Sequence, residues 1–501
     1  CQNDGNGFSP VGMADGVTLM ALSIVLQNAS YVLNLGDGVA YGIGYGGGIG
    51  TPEVSTLFAP VWGGWHDPLV GLDYGNRRAE FQLHIKGTSG DNWITNAQQL
   101  DRLLLDARRY QATKGLDGDA AELIVQLDNW TYPMVFDVLD FRVEHGRALF
   151  QFPLMKSTAA PILPFVLVTL GLKPFGRPQQ MVRSTSTILV NGGGVSSAST
   201  HSITPIGDIP TPCRLTYYTD AGDDFRRVFI GKKSRGVTAN RLWILQCEEG
   251  SFTGYTVTDI EASANFAQAA AVVAAASAGN VERITATASQ TITAALRWTI
   301  NDNLLDYYGK YRVFLRVDAD SDLSNMFFQL TWGGTGADIP NDASHATNMD
   351  DATDKLVDLG WIEIPQRVTQ GNLAEFNFEL KVAWDIVSNP DTLDLDCIYL
   401  VPIDEGYFDV LLSANASAQD RLISDGLAAM PSVYLLDSNG DSQPEKPSGV
   451  LGLFTLEPNV ANVFYPLMVE DATVPNMAHN LTDNFWLIVE YFPLYVLGRT
   501  A

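Results

Sequence analysis

"TAALRWTI" (293–300), "GKYRVFLRVDAD" (309–320) and "MFFQLTWGG" (326–334) follow one another with only short polar breaks between them. "LGWIEIPQ" (359–366), "LAEFNFELKVAWD" (373–385) and "LDLDCIYLVPID" (393–404) continue the series. Each run is short and rich in β-branched and aromatic residues, and Gly, Pro, Asn and Asp punctuate the gaps. That is the pattern of strands and turns. A succession of such strands argues an antiparallel two-sheet jelly roll, assigned here to residues 201–410.

Working outward from that block, "ITPIGDIPTPCRLTYYTDAGDDFRRVFIG" (203–231) supplies a Pro- and Gly-rich start and two alternating strands around the turn "DAGDD". The alanine-rich "ANFAQAAAVVAAASAGN" (264–280) interrupts the strands and is expected to be a helix or a poorly ordered insertion. Residues 411–501, with "FWLIVEYFPLYVLG" near the end, are expected to complete the preceding sheets. Upstream, "RRAEFQLHIKG" (77–87) places Ala79, Phe81, Leu83 and Ile85 on one face at period two. Asp91 can cap a helix whose apolar stripe is Ile94, Ala97, Leu100, Leu104 and Ala107. Strand-like runs "AELIVQLDN" (121–129), "YPMVFDVLDFRVEHG" (132–146) and "ALFQFPLMKS" (148–157) follow. Residues 76–200 therefore read as a small β-barrel with a helix, ending in the linker "NGGGVSSAST" (191–200), and residues 1–75 as a glycine-rich extension. The fold class is mainly β with one or two helices, all-β or α+β.

The extension contains "VAYGIGYGGGIGTPE" (39–53), in which Gly42, Gly44 and Gly47 match G-x-G-x-x-G. A dinucleotide loop needs a helix directly after its glycines, because the pyrophosphate sits on the helix N-terminus. Pro52, Pro60, Gly63, Gly64 and Pro68 leave no room for one. The stretch reads instead as a surface loop at which the backbone of another subunit comes close, with Gly42, Gly44, Gly46, Gly47 and Gly48 as the candidate contacts.

The chain has 501 residues, with 31 Lys plus Arg against 57 Asp plus Glu, a net charge of −26. That balance argues against a broad phosphate-gripping face, although DNA could slide past such a surface. The one cationic cluster, Arg226, Arg227, Lys232, Lys233 and Arg235, reads as a solvated face or a subunit contact. No apolar run approaches the roughly 18 residues of a membrane helix, so no membrane partner is expected. Cys213, Cys247 and Cys397 read as buried free thiols, with a Cys213–Cys247 bridge as the alternative. Cys1 is either the lipid-bearing end of a processed lipoprotein or the residue left after removal of an initiator Met.

The six histidines show no ligand spacing, and no nucleophile elbow or Walker loop is present. No metal, no cofactor and no catalytic residue is assigned, and the chain is expected not to be an enzyme. "DSNGD" (437–441) and "DADSD" (318–322) resemble calcium loops but lack the glycine and glutamate an EF-hand needs, so they read as turns. Trp332 beside Gly333 and Gly334, and Trp361 after Gly360, are the candidates for stacking on a sugar.

The order of these segments resembles a tail protein of a long-tailed bacteriophage, specifically the distal tail protein family. "NRRAEFQLHIKG", "NAQQLDRLLLDARRYQ", "AELIVQLDN" and "FDVLDFRVEHG" look like that family's tube-stacking barrel. The linker and "ITPIGDIPTPCRLTYY" are similar to its passage into a galectin-like or carbohydrate-binding-like sandwich, and "GWIEIPQ", "DLDCIYLVPIDEG" and "VEYFPLYVLG" to strands of such sandwiches. The resemblance implies a virion structural protein, assembled in the host cytoplasm into a ring, commonly of six subunits. Such a ring joins the tail tube to the tip or baseplate hub, with DNA only as passing cargo and host-surface glycans as a possible ligand. The glycine-rich start and the alanine-rich insertion depart from a compact distal tail protein. The major tail tube protein is one alternative, and a secreted or lipid-anchored carbohydrate-binding protein is another.

Overall fold

The computed structural model describes residues 22–495, leaving aside 36–38, 44–47, 50–51, 53, 59–68, 87–89, 114–116, 128–132, 146–164, 189–199, 220–223, 235–243, 253–254, 260–265, 273–279, 301–308, 320–325, 335–341, 344–346, 350–354, 365–375, 385–390, 418, 428–431, 446–453, 470–475 and 479–484. Two compact units emerge, one of residues 1–180 with 494–501 and one of residues 181–493. The boundary lies ahead of the expected linker because Val182–Ile188 pairs along its whole length with Phe485–Tyr491.

In the first unit an antiparallel sheet runs in the order Val32–Asn34, Leu22–Gln27, Glu122–Leu127, Met134–His145, Phe165–Leu172, Arg77–Ile85, Tyr41–Ile43. Met134–His145 is long enough to pair with one neighbour through residues 134–137 and with another through 138–145. The predicted alternation holds. Ala79, Phe81, Leu83 and Ile85 are all buried. The helix, Gly90–Ala112, buries Leu100, Leu103, Leu104 and Ala107 in the same core. Ile94, expected in that stripe, is 45% exposed in the first turn of the helix.

Among the described residues the second unit contains four sheets, stacked so that the inner two are packed on both faces. Sheet I comprises Val182–Ile188, Phe485–Tyr491, Thr211–Thr219, Arg421–Asp425, Ser432–Leu436 and Ser442–Pro444. Sheet II comprises His201–Ile203, Asn462–Val469, Phe225–Lys233 and Tyr407–Ala416. Sheet III is built around Asp391–Pro402 and Gly309–Ala319, flanked by Asn280–Ala286 and Lys355–Ile364. Sheet IV is built around Gln290–Ile300, Phe376–Trp384 and Met326–Gly334. One core fills the space between I and II, including Leu215, Tyr217, Val228, Phe464 and Leu487. Another, with Trp298, Val313, Leu330 and Leu380, fills the space between III and IV. A third joins II to III through Phe229, Phe314, Leu356, Tyr399 and Tyr465.

Two expectations change here. The alanine-rich stretch is neither helix nor disorder where it is described: Phe266–Val272 is a strand, paired over seven residues with Asn280–Ala286. Cross-strand pairing overrides the helix preference of alanine, as tertiary context commonly does. Residues 201–410 do not form one jelly roll either: the strands after 410 pair with preceding strands at His201–Ile203, Thr211–Thr219 and Phe225–Lys233, and Asn476–Ala478 adds to the edge of sheet III. They combine with residues 182–233 to build sheets I and II, so residues 244–402 form a sandwich inserted between two strands of sheet II.

Of the cationic cluster, expected on a solvated face or at a subunit contact, Arg227, Lys232 and Lys233 lie at the joint of that insertion, and Arg235 lies outside the described residues. Arg227, Lys232 and Lys233 are all buried. Arg227 makes a bidentate pair with Asp409, Nε to Oδ1 at 2.9 Å and Nη2 to Oδ2 at 2.8 Å. Lys232 Nζ donates to Glu405 Oε2 at 3.1 Å, and Lys233 Nζ lies 3.5 Å from Asp404. Glu405 also accepts from the backbone N–H of Ser234 at 2.7 Å and from its hydroxyl at 2.6 Å. Gly231 is where the strands of II and III touch: a Cβ built there would lie 2.0 Å from the carbonyl oxygen of Pro402.

Gly231→Ala is expected to destabilise the protein by about 1–3 kcal/mol or more, because the obstacle is backbone and not a flexible side chain. Glu405→Ala leaves Lys232 buried with Asn462 as its one polar partner among the described residues, and is expected to cost about 3–5 kcal/mol. Denaturant unfolding of both variants against the parent checks these two values.

Candidate functional site

The sandwich candidates separate cleanly. Trp332 is 6% exposed and belongs to the core between sheets III and IV, so neither face of its indole is open to a sugar. This corrects the stacking expectation at that position. Its strand, Met326–Gly334, alternates without interruption and sends Phe328, Leu330 and Trp332 inward together.

Trp361 is 53% exposed, and the reason is local. On Lys355–Ile364 the inward positions are first Val357 and Leu359, then Ile362. The parity changes because the register with Gly309–Ala319 shifts between Val313 and Phe314, opposite Gly360. Gly360 has φ +90°, a conformation that suits glycine, and its N–H donates to Asp358 Oδ1 at 2.9 Å. Without this bulge Trp361 would continue the inward row of Val357 and Leu359. With it, the indole stands on the face of sheet III turned away from sheet IV, at a place that is open to solvent. Lys310 Nζ lies 5.9 Å from the ring centroid and 3.9 Å from Glu363, while Arg312 pairs with Asp358 alongside. An exposed indole flanked by one cation and one carboxylate can stack on a sugar and hydrogen-bond its hydroxyls.

The glycine-rich stretch is an edge. Tyr41–Ile43 pairs with one half of Arg77–Ile85 and Gly48–Ile49 with the other, placing Gly42 opposite His84 and Gly48 opposite Glu80. Ile43 is opposite Leu83. Gly44, Gly46 and Gly47 lie outside the described residues. Strand precedes and strand follows, which disposes of the dinucleotide geometry. Among the described residues no strand pairs with the outer edge of these two segments.

A groove of about 300 Å³ runs between the helix and Met134–His145, lined by Ala107, Arg108, Gln111, Val138 and Phe141. Arg108 covers the Phe141 ring at 4.6 Å. It holds no arrangement of nucleophile, base or paired acids.

Among the described residues no three His, Cys, Asp or Glu side chains are arranged to hold a metal. The turn at "DSNGD" satisfies itself: Asp437 Oδ1 accepts the N–H groups of Asn439 at 2.9 Å and Asp441 at 2.8 Å. In "DADSD", Asp320 and Asp322 lie outside the described residues. Cys213, Cys247 and Cys397 are buried free thiols, so the Cys213–Cys247 bridge is not formed. Burial pushes the Cys213 thiol up to about 12 and raises Cys247 well above its ordinary value, which keeps both protonated and unreactive.

No family model matches this chain, and no curated protein matches it. Among solved structures it is similar to the Dit protein of phage SPP1, described as a paradigm of the hub adsorption apparatus in phages that infect Gram-positive bacteria. That likeness has 8% identity and a TM-score of 0.32, and covers 94% of this chain and 98% of the other. A chain of the phage P2 baseplate in its activated conformation with Ca matches at 8% identity and a TM-score of 0.21, covering 75% and 98%. A chain of infectious bursal disease virus, Gt strain, matches at 10% identity and a TM-score of 0.19, covering 63% and 81%. At such scores a functional reading rests on the chain's own residues.

Gly360→Val is expected to cost about 1–3 kcal/mol through the strained φ. Trp361→Ala is expected to change stability by less than about 0.5 kcal/mol, as for other exposed substitutions. Thermal melting of the two variants side by side checks both.

Proposed function

We propose that this chain is a structural protein of a long-tailed phage virion, a distal tail or hub component that assembles with copies of itself into a ring between the tail tube and the tip or baseplate. The observation that carries this reading is the pairing of two differently built units on one chain. One has the strand, helix and strand order seen in the sequence resemblance, and its edge strand is a broken glycine-rich segment. The other is a large all-β unit with no catalytic constellation among its described residues.

Several features support it. The edge formed by Tyr41–Ile43 and Gly48–Ile49 has no pairing strand on its outer side among the described residues, which suits the approach of a neighbouring subunit. Ring size, commonly six in the family resembled, belongs to this proposal, as do assembly in the host cytoplasm and the absence of enzymatic activity. The net charge of −26 suits a lumen through which DNA slides as cargo. No helix among the described residues is long and apolar enough to cross a membrane.

Exposed Trp361 favours one addition, that the inserted sandwich carries a host-glycan contact. Trp361→Ala is then expected to abolish retention on a host-glycan array while the protein remains folded.

Light scattering of the purified chain, with negative-stain imaging, tests the main reading. A closed ring is the expected result. A monomer that stays monomeric when mixed with tube and hub proteins overturns it.

A further inference from the structure

The inserted sandwich contains a group of acids that the reading above does not use. Glu282 lies on Asn280–Ala286, on the same face as Ile284 and Ala286, which enter the core between sheets III and IV. Its side chain is fully buried. Oε2 accepts the backbone N–H of Glu249 at 3.3 Å, whereas Oε1 has no hydrogen-bond partner. Glu248, 7% exposed, has Oε2 without a partner, and Asp259, at the end of Tyr255–Asp259, has Oδ1 without one.

The charged and titratable groups facing this group come from every adjoining element. The turn before Gly250–Phe252 contributes Cys247, Glu248 and Glu249, Tyr255–Asp259 contributes Tyr255 and Asp259, and Asp391–Pro402 contributes Asp396 and Cys397. Asp396 is itself engaged by Arg316 of Gly309–Ala319 at 2.9 Å. Glu248 Oε2, Asp259 Oδ1 and Glu282 Oε1 are thus removed from water with no hydrogen-bond donor among the described residues. Desolvation without a partner costs far more for a carboxylate than for a carboxylic acid. No three of these groups are arranged as metal ligands.

We propose that the Glu248, Asp259 and Glu282 cluster is a proton-binding site, protonated in the folded sandwich in mild acid and emptied as pH rises through neutrality, so that the inserted sandwich loosens over that range. The directions of titration agree. Burial, then the charge of Asp259, pushes Glu282 up to about 7. Burial also raises Glu248 and Asp259, each with a further contribution from a neighbouring carboxylate.

The native state then holds more protons than the unfolded chain between the ordinary glutamate value and about 7, so stability falls as pH rises through that window and is flat above it. This sign is opposite to that of a salt-bridged carboxylate. The site's failure would leave the tail reading intact, since it concerns only the sandwich's response to pH.

Thermal melting of the full chain from about pH 5 to pH 8.5, beside Glu282→Gln, is the test. Gln mimics the protonated acid in shape and charge, so the variant is expected to melt higher than the parent at alkaline pH and to show a flatter slope. Infrared difference spectra should show a protonated carboxyl carbonyl band in the parent near pH 6.5 that is weaker in Glu282→Gln. If the two proteins share one slope and the band is absent from both, the proposal fails. It also fails if calcium chloride at alkaline pH stabilises the parent and not the variant, because the vacancy would then belong to a cation. Should Glu282→Gln not fold, Asp259→Asn with the same two readouts takes its place.

Discussion

Two lysines in sequence, each held by one of two acids in sequence, tie the second unit together. Lys232 and Lys233 end one strand of sheet II, and Asp404 and Glu405 form the turn that leads back into the next strand of that sheet. Between these two points the chain leaves for residues 244–402 and returns. Four side chains therefore fix both passages of the insertion at one place. Desolvating such charges is costly, and pairs of this kind are retained where they specify one arrangement over others. Here the arrangement is the seating of sheet III on sheet II, for which Gly231 gives up its side chain to the carbonyl of Pro402.

The rest of the interface follows from that contact. Phe229 and Phe314 meet with ring centroids 4.8 Å apart, and Arg227 stacks on Phe229 while it grips Asp409. Arg316, on the same face of its strand as Phe314, is neutralised by Asp396. Sheets II and III thus carry arginines and lysines into a packed layer, each balanced by a carboxylate. The acids around Glu282 lack such balance, and that contrast separates a structural charge from one that responds to the solution.

Trp361 shows how one backbone feature decides exposure. Trp332 and Trp361 stand in similar sequence surroundings, each beside glycine in a strand of aromatic and aliphatic residues. The bulge at Gly360 reverses the parity of one strand and not the other, so one indole fills a core and the other faces water.

Wherever the physics is local, the sequence by itself determined the outcome. Strand periodicity predicted the buried row Ala79, Phe81, Leu83 and Ile85, helical spacing predicted most of the stripe on Gly90–Ala112, and turn chemistry predicted the self-satisfied loop at Asp437. The mainly β class was legible for the same reason, since alternation and turn residues act within a few positions. Only the tertiary structure decided which strands are neighbours, because pairing partners such as Val182–Ile188 and Phe485–Tyr491 lie hundreds of residues apart and no local signal links them. It also turned an alanine-rich stretch into a strand and buried a cationic run that looked solvated, since burial depends on what packs from outside. Lys232 and Lys233 are surface residues by composition and core residues by position, and the acids that make this tolerable stand more than 170 residues away in the chain.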